Sequence, residues 1–474
     1  MISKRFFGGW ADFWRPFIVV AVPVILQGLV SSSLHIVDNI MVGVLGDAPL
    51  AGVAQANQVQ FILRLFLFGI CSGASILISQ QWGNGDIPGL RATVGMTLYS
   101  TVLLGAVVFL AAVLFPEPIL RIFIREEEAL DYGVAYLTAV APSYLFASAT
   151  IAISQANKAT EKAVLPMVAA IISIATNTFL NWCLIYGNLG FPRLGVRGAA
   201  IATSIAAGVE TLLLVFFTWK LRYPAAATLR QMRPNRKAFR AFYKLTTPVI
   251  LNEGLWGVGT AIYAIVYGIM GTTTVAAMAI FGVVDQLVWA AGWGFMTGTA
   301  VLVGKRLGAG DMDGARLMAK RMLVLALITG VVLGMGMLLP LAERVTELFT
   351  ASAQARGMAA QALKVFGVLL FAKIFNATNI VGVLRSGGDA KYAMWLDVAG
   401  IYGIGIPMAF LGGVVLDLPL HWVYLMLQSE EVIKAIIGGI RYLSGKWVKR
   451  LVSDDDVVPA DKNEDIAQTA GSRA

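Results

Sequence analysis

Long apolar runs broken by short polar stretches organise nearly the whole chain. They fall near residues 16–45, 50–82, 91–115, 132–155, 163–187 and 197–219 and, after a basic stretch, near 246–270, 275–304, 317–340, 358–384, 392–415 and 419–442. A bilayer core takes about 20 residues of helix to cross, and inside it every backbone polar group has to be satisfied within the protein. Runs of this length without strict alternation therefore predict an all-α membrane protein with twelve transmembrane helices. The first run is too long for the core of a signal peptide, and no small-residue cleavage pattern interrupts it, so it reads as an uncleaved span.

The positions of Lys and Arg give these spans a direction. The stretch from Lys220 to Lys244 also holds Arg222, Arg230, Arg233, Arg236, Lys237 and Arg240, and no acid. Lys305, Arg306, Arg316, Lys320 and Arg321 follow the eighth run, and Arg441, Lys446, Lys449 and Arg450 follow the twelfth. Glu117, Glu126, Glu127, Glu128 and Asp131 crowd the loop after the third. The positive-inside rule then predicts a multi-pass protein of the inner (plasma) membrane with both termini cytoplasmic. Composition agrees: 58% of the 474 residues are apolar and only 14% charged, against about a quarter charged in soluble domains. The net charge of +9 is explained by topology, so the expected partners are the lipid bilayer and a small-molecule substrate, with no nucleic acid, and a monomer is expected. Cys71 and Cys183 both lie in apolar runs, which excludes a disulfide framework or a zinc site.

Self-comparison adds more than any single motif. Shifting the chain by 225 places Pro23-Val24-Ile25-Leu26 on Pro248-Val249-Ile250-Leu251, and Gly43, Gly46, Gly69 and Gly73 on Gly268, Gly271, Gly294 and Gly298. Gly83, Gly85, Asp86 and Gly89 then fall on Gly308, Gly310, Asp311 and Gly314, with 17 identities in 67 ungapped positions from 23 to 89. Six helices per half means that both halves enter the membrane from the same side. The expectation is two parallel six-helix repeats around a V-shaped central cleft, related by an axis along the membrane normal. Residues 1–220 and 246–445 would be the lobes, 221–245 a basic cytoplasmic linker, and 446–474 a partly disordered cytoplasmic tail. The aligned glycines read as helix-packing positions, and the G-x-G-D segments as tight turns whose Asp caps the next helix.

Ionisable groups at membrane depth are functional candidates by default. Asp38 sits in the first span and Glu253 in the seventh, and the repeat makes them inequivalent: Asp38 aligns with Tyr263, and Glu253 with Gly28. Each carboxylate is a site for a proton, a metal ion or a cationic substrate, or else is paired with a buried base, for which Arg64, Lys364 and Lys373 are available. His35 shares a helical face with Asp38. Asp285 either lines the cleft or bridges to a neighbouring helix. Glu430 and Lys434 read as a self-neutralising i,i+4 pair. Asn177 and Asn181 share a face of the fifth span, where amides join helices or coordinate an ion. Trp256, Tyr263, Tyr267, Trp289 and Trp293 would form a cation-binding wall or ordinary packing. The chain has two histidines, no metalloprotease or nucleophile-elbow pattern and no P-loop, so an enzyme is not expected, no cofactor is implied, and energy has to come from an ion gradient.

In combination, V-D-N-I-M-V-G-V-L-G in the first span, S-G-A-S-I-L-I-S-Q-Q-W-G-N-G-D ending the second, L-G-V-R-G-A-A-I-A-T-S before the sixth and V-L-R-S-G-G-D after the tenth resemble the multidrug and toxic compound extrusion family, and the ending R-Y-L-S-G-K-W resembles a bacterial branch of it. The resemblance implies antiport of organic cations against sodium ions or protons. It places Asp38 and Glu253 at the family's functional acids, with Asn177 and Thr203 around the first. Asn181 stands where some members carry a second aspartate, and the tenth span, between Phe366 and Val383, has Lys373 but no carboxylate, whereas some members place an acid there. The expected function is therefore an ion-coupled antiporter exporting amphipathic, cationic small molecules such as drugs, with Asp38, Glu253, His35, Asn177, Asn181, Thr203, Tyr263 and Asp285 as substrate- or ion-binding residues and sodium held at Glu253. A flippase for a lipid-linked precursor is the alternative; it would favour a strongly basic cleft.

Overall fold

The computed structural model describes residues 10–233 and 236–452, and among these the only regular structure is helix. The principal helices are α1 (Arg15–Gly43), α2 (Asp47–Asn84), α3 (Ile87–Leu114), α4 (Glu127–Val140), α5 (Pro142–Ala159), α6 (Val164–Tyr186), α7 (Val196–Lys220), α8 (Arg236–Ile269), α9 (Thr272–Gly308), α10 (Met312–Glu347), α11 (Ala353–Arg385), α12 (Ala390–Val415) and α13 (Leu420–Leu443). Ten are long and apolar enough to cross a membrane, or eleven when α4 and α5, bent by 50° at Pro142, are taken as one span. Proline lacks the donor that would continue the helix, so the chain turns there. The sequence predicts a twelfth span at 419–442. Helix α13 occupies it and is 24 residues long, but Glu430, Glu431 and Lys434 deny it an apolar stretch of spanning length.

The 225-residue register recurs in the backbone. Pro23 and Pro248 both lie inside helices, and Gly46 and Gly271 take φ of 117° and 112°. Gly85 and Gly310 take φ of 74° and 79°, a left-handed conformation that glycine adopts without strain. Asp86 and Asp311 cap the following helices, accepting from the backbone N–H of Gly89 at 2.9 Å and Gly314 at 2.8 Å. This is the turn that the G-x-G-D motif predicts.

The contacts joining the two halves are reciprocal under the same shift. Gly69 of α2 packs on Ile250 of α8, and Gly294 of α9 packs on Ile25 of α1; Gly73 packs on Thr246, and Gly298 on Ala21. Gly83 meets the carbonyl of Lys305, and Gly308 meets that of Gln80. A β-carbon on Gly69 or Gly73 would stand 2.8 Å from the Cα of Ile250 or Thr246, so only a missing side chain permits the approach. The reciprocal pairs run from the middle of α2 and α9 to their C-terminal ends, the basic end of the molecule, which carries Lys305, Arg306, Lys449 and Arg450. Toward the other end, Phe61 and Ile62 of α2 and Val258 and Ile265 of α8 are exposed.

At the basic end the segment after α13 crosses from one half to the other. Lys449 Nζ donates to Asp389 Oδ1 at 2.8 Å, and Arg450 Nη2 to Asn84 Oδ1 at 2.8 Å. Gln80, fully buried, donates to the carbonyls of Ser386 and Lys449 and accepts from the backbone N–H of Leu451 at 2.7 Å. Trp447 is buried beneath. Of the tail expected from residue 446, the part to Val452 is thus packed; residues 453–474 lie outside those described. Burial alone would raise the Asp389 carboxyl, but hydrogen bonds from Arg441 and Lys449 outweigh it and hold the group below its ordinary value.

Two outcomes follow. Gly83→Leu and Gly308→Leu each wedge a side chain against a backbone carbonyl, and each should lower the thermal midpoint of the purified protein by a similar amount, at overpacking costs of about 1–3 kcal/mol. The Asp389 anchor is fully present above the ordinary carboxylate value and is lost as pH falls through the lowered one. Thermal midpoints measured against pH should therefore show an acid-side loss that Asp389→Asn removes.

Candidate functional site

Two polar networks occupy the interior, one in each half. In the N-terminal half, Asn181 Nδ2 donates to Asp38 Oδ1 at 2.7 Å and to Asn177 Oδ1 at 3.1 Å. Asn177 in turn reaches Thr203 Oγ1 at 3.2 Å. With its amide turned over, Asn177 instead donates to Asp38 Oδ1 at 2.9 Å and accepts from Thr203. In that orientation two amides serve one carboxylate oxygen, which suits an acceptor-only anion better than a protonated acid. Tyr136 of α4 closes the group, donating to Asn57 Oδ1 at 3.4 Å. Among the described residues Asp38 has no basic partner. The side chain of His35 lies outside the described residues, though its backbone is part of α1.

In the C-terminal half Glu253 is buried, and its Oε1 accepts from Arg385 Nη1 at 2.8 Å, with the Arg385 side chain only 2% exposed. None of the three bases suggested by the sequence fills this role: Lys364 pairs with Glu343 at 2.6 Å, Lys373 with Asp285 at 2.9 Å, and Arg64 has no carboxylate within ion-pair distance among the described residues. Arg385 stands at the very end of the tenth run, in V-L-R-S-G-G-D. The last turns of that helix are a π-helical segment, Ala377–Arg385, and its final residue presents the guanidinium to Glu253. Such segments are frequent where a helix is bent to a functional purpose.

The second departure concerns Lys434. It does not simply neutralise Glu430, which lies 3.8 Å away; it is closer to Glu431 at 2.8 Å and Asp397 at 3.2 Å. Asp397 also accepts from Asn252 Nδ2 at 3.0 Å, and Asn376 Nδ2 donates to Glu431 Oε2 at 2.7 Å. Tyr263, the counterpart of Asp38, points its hydroxyl at Glu430 across Gly405, where a β-carbon would collide with both. Asp285 resolves as a bridge to α11, and its partner Lys373 lies over the rings of Trp289 and Phe366 at 5.1 and 4.8 Å. Trp293 packs edge-on against Phe68.

The charge balance of this second network is uneven. Glu253, Asp397, Glu430 and Glu431 stand against Arg385 and Lys434, a formal excess of two negative charges. Several oxygens there are buried without a hydrogen-bond partner: Asn252 Oδ1, Asn376 Oδ1, Asn379 Oδ1, Glu430 Oε2 and Tyr263 Oη. A low-dielectric interior penalises both features unless protons or cations complete the set. Among the described residues no group of three His, Cys, Asp or Glu could hold a metal ion by itself, so any cation held here would draw on amide and hydroxyl oxygens as well.

Comparison with known proteins settles the lineage. The model of the MatE family matches this chain twice, at residues 23–183 and 248–411, and the two matches begin 225 residues apart. The chain belongs to the MatE family. Members are transporters, and this MatE protein is accordingly a transporter and not an enzyme. Among its relatives, the probable multidrug resistance protein NorM of Thermotoga maritima is 22% identical over 439 residues, covering 92% of this chain and 94% of that protein. The probable multidrug resistance protein YoeA of Bacillus subtilis is 26% identical over 404 residues, covering 84% and 86%. A solved structure described as the outward-facing conformation of a multidrug resistance MATE family transporter superposes with a TM-score of 0.82 at 20% identity, covering 91% of this chain and 96% of that one.

In this MatE transporter the sequence located Asp38, Asn177, Asn181 and Thr203 as one group, and the structure brings them together. It missed Arg385, Asp397 and Glu431. The spacing signal for Glu431 was present, at i,i+3 to Lys434; none existed for Asp397, which joins the network only through tertiary contact.

Arg385→Met should leave the Glu253 carboxylate buried without its base, a loss of about 3–5 kcal/mol, seen as a lower thermal midpoint in detergent. The double variant with Glu253→Gln should recover most of it. Equal destabilisation in the single and double variants would show that the pair carries no coupling.

Proposed function

We propose that this MatE protein is an ion-coupled antiporter, driven by protons or sodium, that exports amphipathic, cationic small molecules. The observation that carries this reading is the formal excess of two negative charges in the buried network of Glu253, Asp397, Glu430 and Glu431, together with its unpartnered oxygens. A coupling ion and a cationic substrate are both attracted to such a set, and each displaces the other's share of compensating charge, which makes exchange the natural cycle. Asp38, served by amides and without a basic partner among the described residues, is the second acid free to change charge. The excess of acid in the C-terminal half disfavours a diphosphate-linked lipid as cargo. The names of the relatives, multidrug resistance proteins, support export of varied small molecules.

The layout that serves this cycle is two parallel six-helix lobes around a V-shaped cleft, in an inner membrane with both ends cytoplasmic. The double family match and the reciprocal glycine contacts support it. The clustering of Lys and Arg at the end where the lobes touch supports a cleft closed to the cytoplasm and open outward. Rocking about the reciprocal interface would alternate access.

The test is efflux of a cationic dye from reconstituted vesicles with sodium and proton gradients imposed independently. One gradient should drive transport, and Asp38→Asn and Glu253→Gln should each reduce the driven rate by at least about tenfold, the effect of 1.4 kcal/mol. Driven efflux that survives both substitutions intact would sink the assignment of these acids.

A further inference from the structure

The group around Asp38 sits inside a ring of five helices. Gly52 of α2 packs on the carbonyl of Ala129 and the backbone of Gly133 in α4, and Ser204 Oγ of α7 donates to the Ala139 carbonyl of α4 at 3.1 Å. Gly198 of α7 packs on the Leu184 carbonyl of α6, and Asn181 of α6 reaches Asp38 of α1 at 2.7 Å. A short turn through Gly46 returns α1 to α2 and completes the circle.

The end of this ring away from the basic end holds a pocket of about 310 Å³, whose lining includes Leu45, Pro49, Tyr132, Ala135, Val196 and Arg197. That volume has room for several waters. Four elements each carry a lining residue and, one or two turns deeper, a member of the Asp38 group. Leu45, just past α1, precedes no deeper than seven residues from Asp38; Pro49 is eight from Asn57, Tyr132 four from Tyr136, and Val196 seven from Thr203. Spacings of four, seven and eight keep residues on one helical face, and at ~1.5 Å per residue they separate pocket and group by roughly 6–12 Å. The pocket therefore stands over the Asp38 group, within the same ring.

The layer between them is apolar. Val42, Val53, Ala199 and Ala200, each placed between a lining residue and a group member, are buried in one cluster with Tyr136. Such a constriction blocks when dry and conducts when it wets. It offers no side-chain oxygen to replace the hydration shell of a sodium ion, whereas a proton needs only a transient file of water. Arg197 stands exposed at the rim. Tyr136 is the other titratable member of the group, and Arg64 and Glu210 lie seven residues beyond Asn57 and Thr203.

We propose that this pocket is the outer mouth of a proton path to Asp38 that runs inside the N-terminal half, separate from the cleft between the halves. This rests on the exporter reading above and assigns the route by which its coupling proton arrives. A water in the pocket gives up a proton, a file of water carries it through the apolar layer, and the Asp38 carboxylate receives it and becomes a neutral carboxyl. Separate doors let the proton reach Asp38 while substrate still occupies the cleft.

The test is the rate at which Asp38 takes up a proton. In the purified full-length protein, the infrared carbonyl band that appears on acidification and is lost in Asp38→Asn reports on this carboxyl, and its rise is followed after a rapid drop in pH. Ala135→Trp fills the pocket and should slow the rise by about tenfold, the effect of 1.4 kcal/mol on a barrier, without moving the pH at which the band is half developed. Val53→Thr keeps the shape of the layer but adds a hydroxyl, and should speed the rise. Saturating the cleft with a cationic dye should leave the wild-type rate unchanged. Unaltered rates in both variants, or a rise abolished by the dye alone, overturn the path. Should Ala135→Trp fail to fold, Val53→Thr and the dye decide between them. Absence of any Asp38 band down to the acid limit of the folded protein removes Asp38 as a proton site, and the path with it; a band whose rate ignores the pocket removes the path alone.

Discussion

Where the two halves meet, helices approach until the backbone of one lies against the side chain or carbonyl of the other, and this approach is possible only because glycines occupy those positions. Lipid supplies no hydrophobic drive for helices to associate, so close packing has to hold them together. Gly69, Gly73 and Gly83 make these contacts from one side, and Gly294, Gly298 and Gly308 from the other. The same three contacts occur twice, related by one shift in sequence. An interface built this way is self-complementary. The segment carrying Trp447, Lys449 and Arg450 then ties the basic ends together through Gln80, Asn84 and Asp389.

The chemistry breaks the symmetry that the interface keeps. One half places a single acid among amides, and the other places four acids around two bases. Asp38 and its counterpart Tyr263 mark the contrast, since one is an acid held by neutral donors and the other a hydroxyl turned toward a carboxylate. Charges inside an apolar body interact strongly because little solvent screens them. Any event that adds or removes one charge, whether a proton, an ion or a substrate group, shifts the balance of the whole network. The π-helical segments of α11 and α12 lie in the half that carries the denser network, where straight helices would aim Arg385 elsewhere.

Much of the fold was legible because lipid imposes a simple rule on sequence. Apolar run lengths marked the helices, and the spacing of Lys and Arg sorted their ends. Where the structure adds to that reading, the causes are physical. Helix α13 carries three ionisable residues at its centre because it supplies one wall of the buried network, so its composition departs from that of a plain span. Arg385 was not singled out because it ends the tenth run, and the direction in which a π-helical stretch turns its last residue has no reliable signal in a single sequence.

By itself, the sequence determined the all-helical class, the 225-residue register and the glycines of the interface, which follow from local periodicity or from self-similarity and survive in one dimension. The grouping around Asp38 came from the family resemblance. Only the tertiary structure decided which base meets which acid: Arg385 with Glu253 across 132 residues, Lys373 with Asp285 across 88, and Lys434 shared among three carboxylates. Pairing between distant helices depends on rotation about each helix axis and on a few ångströms of depth, and neither quantity is written in the order of residues along a single helix.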